Sequence, residues 1–135
     1  MSGIEYDISI SGYVEEEIMK RFRAVVFDTW NRLSIYTPVL TGRAKSNWRT
    51  LIGAEEDSPI ERFSGQPVGV QDQGASQAEL IRVLTALSIK DTVVIFNVVP
   101  YIERIESGWP GNPPHPGYYV VERTINDIET KYANE

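Results

Sequence analysis

"TPVLTGRAKSNWR", Thr37–Arg49, separates two kinds of periodicity, and the reading on either side of it decides the fold. Upstream, Val14, Ile18, Phe22, Val25, Val26, Trp30 and Leu33 recur at spacings of three and four. This is the apolar stripe of an amphipathic helix, and it predicts one long helix over residues 14–36. Glu15, Glu16 and Glu17 lie in its first turn, where the helix dipole favours negative charge. Lys20 and Arg21 follow one turn later and complete favourable pairs with Glu16 and Glu17. Thr37-Pro38 stops the helix, because the residue before a proline is pushed out of the α region. Downstream, Ser46, Trp48, Thr50 and Ile52 form one face of an alternating pattern and predict a strand. The only charges within the stretch are Arg43, Lys45 and Arg49, although the chain as a whole carries −6.

The remaining elements follow from the same rules. "IEYDISIS", residues 4–11, alternates strictly and predicts a half-buried strand. Residues 54–74 show no sustained period and are rich in Gly, Pro, Ser and Gln, which predicts a long flexible loop. Ser76 and Glu79 have capping-box spacing and predict the start of a short helix with Leu80, Ile81, Leu84 and Leu87 on its apolar side. Lys90-Asp91 turns the chain into "TVVIFNVV", apolar on both faces except at Asn97. Such a strand is either central and covered on both sides, or has one face against another subunit. "SGWPGNPPHPG" reads as a rigid loop, and residues 118–133 as a closing helix with Val121, Ile125, Ile128 and Tyr132 on one side. The order β-α-β-loop-α-β-α predicts one α+β domain over residues 1–135. A long N-terminal helix and a C-terminal helix flank a small, mostly antiparallel sheet.

Composition narrows the function. With no cysteine, disulfides, thiolate catalysis and cysteine-based zinc sites are excluded together. No apolar run approaches the roughly 20 residues needed to cross a bilayer, and "MSGIEYDISI" lacks the basic start of a secretory signal, so no membrane partner is expected. Residues 1–50 hold seven basic and six acidic side chains, residues 51–135 six and thirteen. A protein that grips duplex DNA carries a basic stripe, so this balance argues against an independent DNA-binding role.

Candidate chemistry is sparse. His115, the only histidine, sits in "NPPHPG" and reads as an exposed loop residue, with no nucleophile elbow elsewhere to serve. Glu103 and Glu106 would share a face on a helical turn, as a carboxylate pair for acid/base or metal chemistry would. The alternative is a helix end at Glu106 with Gly108 as its C-terminal cap. Trp109, between glycine and proline, is either an interface anchor or packed against its own loop. No catalytic, cofactor-binding or metal-binding residue is assigned.

Two segments taken together carry a resemblance. "TPVLTGRAKSNW" follows a long helix and "VVPYIERIESG" follows a late strand, and the pair resembles the phage neck or tail-completion proteins, the minor tail component family. The matching residues are Thr41, Gly42, Arg43, Asn47 and Trp48, then Pro100, Tyr101, Glu106 and Gly108. Leu40 stands where many members carry an acidic residue, and the 54–90 stretch is longer than in compact members. The resemblance implies a structural virion protein of the head-to-tail connection, not an enzyme, assembled in the host cytoplasm. Its partners would be further copies in a homo-oligomeric ring, a hexamer by preference, and adjoining head-completion, tail-terminator or tail-tube proteins. DNA would pass through without specific binding. Arg43, Lys45, Arg49 and Trp109 are then candidate interface residues. The three cations face either an acidic surface of a neighbouring copy or, within the chain, Glu55, Glu56 or Asp57. A small cytoplasmic binding module, such as an antitoxin or a regulatory subunit, is the alternative class.

Overall fold

The computed structural model describes residues 2–6, 15–39, 43–53 and 74–133, with 2–6 as backbone only. The helix that precedes the opening stretch is α1, Glu15–Tyr36, within one residue of the predicted span. Its inward face is Phe22, Val25, Val26, Thr29, Trp30, Leu33 and Ser34. It ends where Pro38 requires. Thr37 donates its N–H to the Leu33 carbonyl at 3.2 Å and doubles that contact with its hydroxyl at 2.6 Å, closing the last turn.

A short 3-10 turn, Lys45–Asn47, leads into β2, Arg49–Ile52. With β1, Ser2–Tyr6, and β3, Val93–Asn97, it forms an antiparallel sheet in the order β1-β3-β2. Ile95 is opposite Ile4 on one side and Thr50 on the other. The strand predicted over residues 4–11 is thus observed over Ser2–Tyr6, and residues 7–11 lie outside the described residues. The predicted loop at 54–74 also lies outside them, except Gly74, which opens α2, Gly74–Ala86.

All five residues of β3 are buried within the one chain. Of the two explanations for its doubly apolar pattern, the central position holds, so this strand requires no second subunit. Val93 and Ile95 join Phe22, Val26, Trp30, Leu33, Trp48, Leu80, Val83 and Leu87 in the main core, while Val94 and Phe96 are buried outside that cluster. On α2 the inward apolar residues are Leu80 and Val83, followed by buried Leu87 just past the helix end; Ile81, expected inside, is 55% exposed.

After β3 the chain forms α3, Ile102–Ser107, then a two-residue ribbon of β4, Gly108–Trp109, and β5, His115–Pro116, and finally α4, Val120–Tyr132. The domain is a single compact α+β unit of long N-terminal helix, two small antiparallel sheets and C-terminal helix.

α4 lies antiparallel to α1, and two aspartates clasp them. Asp28 of α1 accepts from Lys131 at 2.6 Å and from the Tyr132 hydroxyl. Asp127 of α4 accepts from Arg32 at 2.9 Å and from the Tyr36 hydroxyl, while Arg123 lies 3.9 Å over the Tyr36 ring. Burial alone would raise the Asp28 carboxyl, but the hydrogen bonds from Lys131 and Tyr132 and the charges of Lys131 and Arg32 together lower it. Asp127 is lowered chiefly by the Tyr36 hydrogen bond, against a smaller opposing effect of burial, with help from Arg32 and Arg123.

A depressed carboxylate stabilises the fold fully above its unfolded value of 3.8, and the contribution is lost as pH falls through the lower folded value. Thermal melts of the wild type and of Asp28→Asn/Asp127→Asn should therefore differ most near neutral pH and converge below 3.8. A gap that stays constant into acid would show that the two carboxylates are not linked to folding.

Candidate functional site

Trp48 is fully buried, and its indole N–H donates to the Thr37 hydroxyl at 2.8 Å. The same hydroxyl is bound to Leu33, so the end of α1 is fixed to the start of β2. Asn47 is also fully buried and donates its amide to the Arg43 carbonyl at 2.8 Å, closing the turn on itself. From β3, Asn97 donates to the Ala44 carbonyl at 2.7 Å, and its own amide oxygen accepts from Val99 N–H at 3.2 Å. Asn97, the one polar residue of an otherwise apolar strand, thereby connects the 43–48 turn to the Val99–Ile105 segment. Thr41 and Gly42 lie outside the described residues.

The second motif has its own set of constraints. Pro100 is exposed, and Tyr101 packs against the main core beside Ile102 and Ile105. Glu106, near the end of α3, reaches to the start of α4. Its carboxylate accepts from Val121 N–H at 2.8 Å and Glu122 N–H at 3.2 Å. These are free donors of the first turn of α4, and Tyr119, the residue at the N-cap position, makes no side-chain cap. Glu106 is thus a cap delivered from another helix, with its charge on the favourable end of the α4 dipole. The carbonyls of Ile105 and Glu106 in turn accept from Tyr118 and Tyr119 at 2.8 and 3.0 Å.

Two glycines permit this close join. Gly108 ends α3 at φ 93°, its N–H bonded to the Arg104 carbonyl, and a Cβ there would lie 2.4 Å from the His115 carbonyl oxygen. At Gly117 a Cβ would lie 2.1 Å from the Glu106 carbonyl oxygen. The predicted end of α3 at Gly108 is what the backbone shows. Trp109 stacks on His115 with ring centroids 4.0 Å apart, so it packs against its own loop while remaining half-buried.

The basic residues separate into two groups. Arg43 and Lys45 are half-buried, flanking the turn. Arg49 is buried and gives a correction: it is committed within the chain and cannot face a neighbouring copy. Its guanidinium grips Glu79 of α2, with Nε 3.0 Å from both carboxylate oxygens and a terminal nitrogen 2.8 Å from Oε2. Its plane also lies over Phe96, 5.8 Å from the ring centre. Glu79 was not among the acids expected to pair with the basic stretch. The spacing of Ser76 and Glu79 suggested a capping box, but α2 already begins at Gly74. Both side chains therefore turn away from the helix end and towards β2.

Among the described residues no group of three or more His, Asp or Glu is placed to hold a metal ion. Glu103 is exposed, while Glu106 is occupied as the cap of α4. No family model matches the chain, and no curated protein and no solved structure matches it.

Trp48→Ala should cost about 3–5 kcal/mol in denaturant unfolding, since the ring fills the centre of the core. An unchanged midpoint would place the ring outside the core. Glu106→Ala should cost about 0.5–2 kcal/mol and fray the first turn of α4, seen as faster amide exchange at Val121 and Glu122. Exchange at those two amides equal to wild type would mean the cap contributes nothing.

Proposed function

We propose that the chain is a structural subunit of a phage head-to-tail connection, a neck or tail-completion component that forms a homo-oligomeric ring around the DNA channel. The observation that carries the reading is the place of the two motif segments. Asn47 and Trp48 on one, Tyr101, Glu106 and Gly108 on the other, are joined through Asn97 to one core. Every described motif residue except exposed Pro100 and half-buried Arg43 closes a turn, fills the core or caps a helix. A signature of this kind preserves a shape, which is what a ring subunit must present to its neighbours.

Arg43 and Lys45 remain as interface residues in this reading, now without Arg49, and Trp109 presents the half-buried edge of a loop held by its stack on His115. The net charge of −6 suits a ring whose lumen passes DNA, because a like-charged wall lets the polymer slide. A hexamer is the preferred closure, joined to head-completion, tail-terminator or tail-tube proteins.

The direct test is composition and position. Purified virions should contain this chain in several copies, located by electron microscopy at the junction of head and tail. The coding sequence should lie among those for portal, terminase and tail proteins. Virions lacking the chain, or a coding sequence beside a single small toxin, would overturn the proposal. Lys45→Glu should leave folding within about 1 kcal/mol of wild type yet block joining of heads to tails. Normal yields of tailed, infectious particles would remove Lys45 from the interface.

A further inference from the structure

β2 is an edge strand, and its outward backbone groups decide whether the sheet ends there. In the pairing of β2 with β3, Gly53 N–H points to the Thr92 carbonyl at 2.8 Å, so Leu51 and Arg49, at the same parity, also face β3. Trp48 and Thr50 therefore face away from the sheet. An exposed edge of this kind is a template for another strand.

Two of those outward groups, the Thr50 N–H and the Trp48 C=O, are occupied by α2. Thr50 N–H donates to Glu79 Oε1 at 2.8 Å, and the Ser76 hydroxyl donates to the Trp48 carbonyl. One helix thus supplies an acceptor and a donor, from positions three apart, to one N–H and one C=O among those that a fourth strand would bond. The contacts are held rigidly. Trp30 Nε1 donates to the Ser76 hydroxyl at 2.9 Å, which fixes that hydroxyl as a donor towards Trp48. Arg49 fixes the Glu79 carboxylate with three contacts of 2.8–3.0 Å. Ser76 and Glu79 are buried, so water does not compete for either group.

We infer that Ser76 and Glu79 are edge guards, which close β2 against strand addition by β2 of a second copy. Two β2 edges are self-complementary under a two-fold axis, the symmetry of an isologous contact. Pairing them would produce one continuous sheet of six strands, three from each copy. The guard holds this contact shut and leaves other surfaces to define the assembly. The inference is independent of the neck reading, since it concerns how the sheet is terminated whatever the chain joins.

Light scattering after size-exclusion chromatography, over a range of concentrations, tests it with three variants. Glu79→Gln keeps a carbonyl oxygen for Thr50 N–H and should keep the wild-type association state. Ser76→Ala/Glu79→Ala should associate beyond the wild-type state as concentration rises. Adding Thr50→Pro to that double variant should restore the wild-type state, because proline removes the outward donor without touching a bond to β3. A folded double variant that keeps the wild-type mass would overturn the inference, as would equal association with and without Thr50→Pro. If the double variant does not fold, amide exchange on the wild type decides. Thr50 should be protected as well as the amides of α2; exchange faster than α2 would mean that Glu79 does not close the edge.

Discussion

The Glu79 carboxylate gathers the Arg49 guanidinium and the Thr50 amide onto one buried anion. Its two partners are adjacent residues of β2, one supplying a side chain and the other its backbone. A helix side chain is therefore bonded to a strand at two successive positions, which fixes α2 both along and across the sheet edge. A buried carboxylate is costly to desolvate, and it is tolerated here because both oxygens are engaged and its charge is matched at 2.8 Å. Loss of either partner leaves an uncompensated charge, so the arrangement selects one packing of α2 over its near alternatives. From this clasp the order extends outward: Ser76 holds the Trp48 carbonyl, Trp48 holds Thr37, and Thr37 closes the end of α1.

The elements governed by simple periodicity were legible in the sequence. α1 and α4 were readable because their apolar residues repeat with the helical period and bury one face, and α1 ends at Tyr36, just ahead of Thr37-Pro38. β3 was readable because the seven successive positions 93–99 offer only one polar side chain, Asn97. The polar contacts were not readable, and the reason is physical. A Ser-x-x-Glu spacing fits a capping box and a strand clasp equally well, and only the helix start at Gly74 distinguishes them. The Arg49–Glu79 pair joins residues on different elements, with no local spacing to announce it. Ile81 was misplaced for a related reason: α2 turns Val83 inward, and the apolar stripe is offset by part of a turn. At the candidate site Trp48 was recognised by alternation, whereas the cap that Glu106 provides to α4 depends on a chain reversal through Gly108 and Gly117 that local pattern does not encode.

The same distinction bears on function. The residues that suggested a neck protein are those that build the join between α1 and β2 and the join between α3 and α4. They determine where the turn carrying Arg43 and Lys45 and the loop carrying Trp109 stand relative to the core. Arg49 contributes to that architecture from inside, and the opening stretch therefore concentrates positive charge for two separate reasons. One cation is a buried structural partner, and the other two, half-buried, belong to the turn.

A double-mutant cycle on the clasp tests the central claim most directly, with Arg49→Met, Glu79→Met and the two combined, measured by denaturant unfolding. The account predicts a cost of about 3–5 kcal/mol for each single change. The double variant should be destabilised by much less than their sum, because no unpaired charge remains. It should still fall below wild type by about 1–3 kcal/mol, since the Thr50 amide then lacks its acceptor. Costs that simply add would contradict the account, because they would mean that Arg49 and Glu79 act independently and that the edge of β2 does not depend on their pairing.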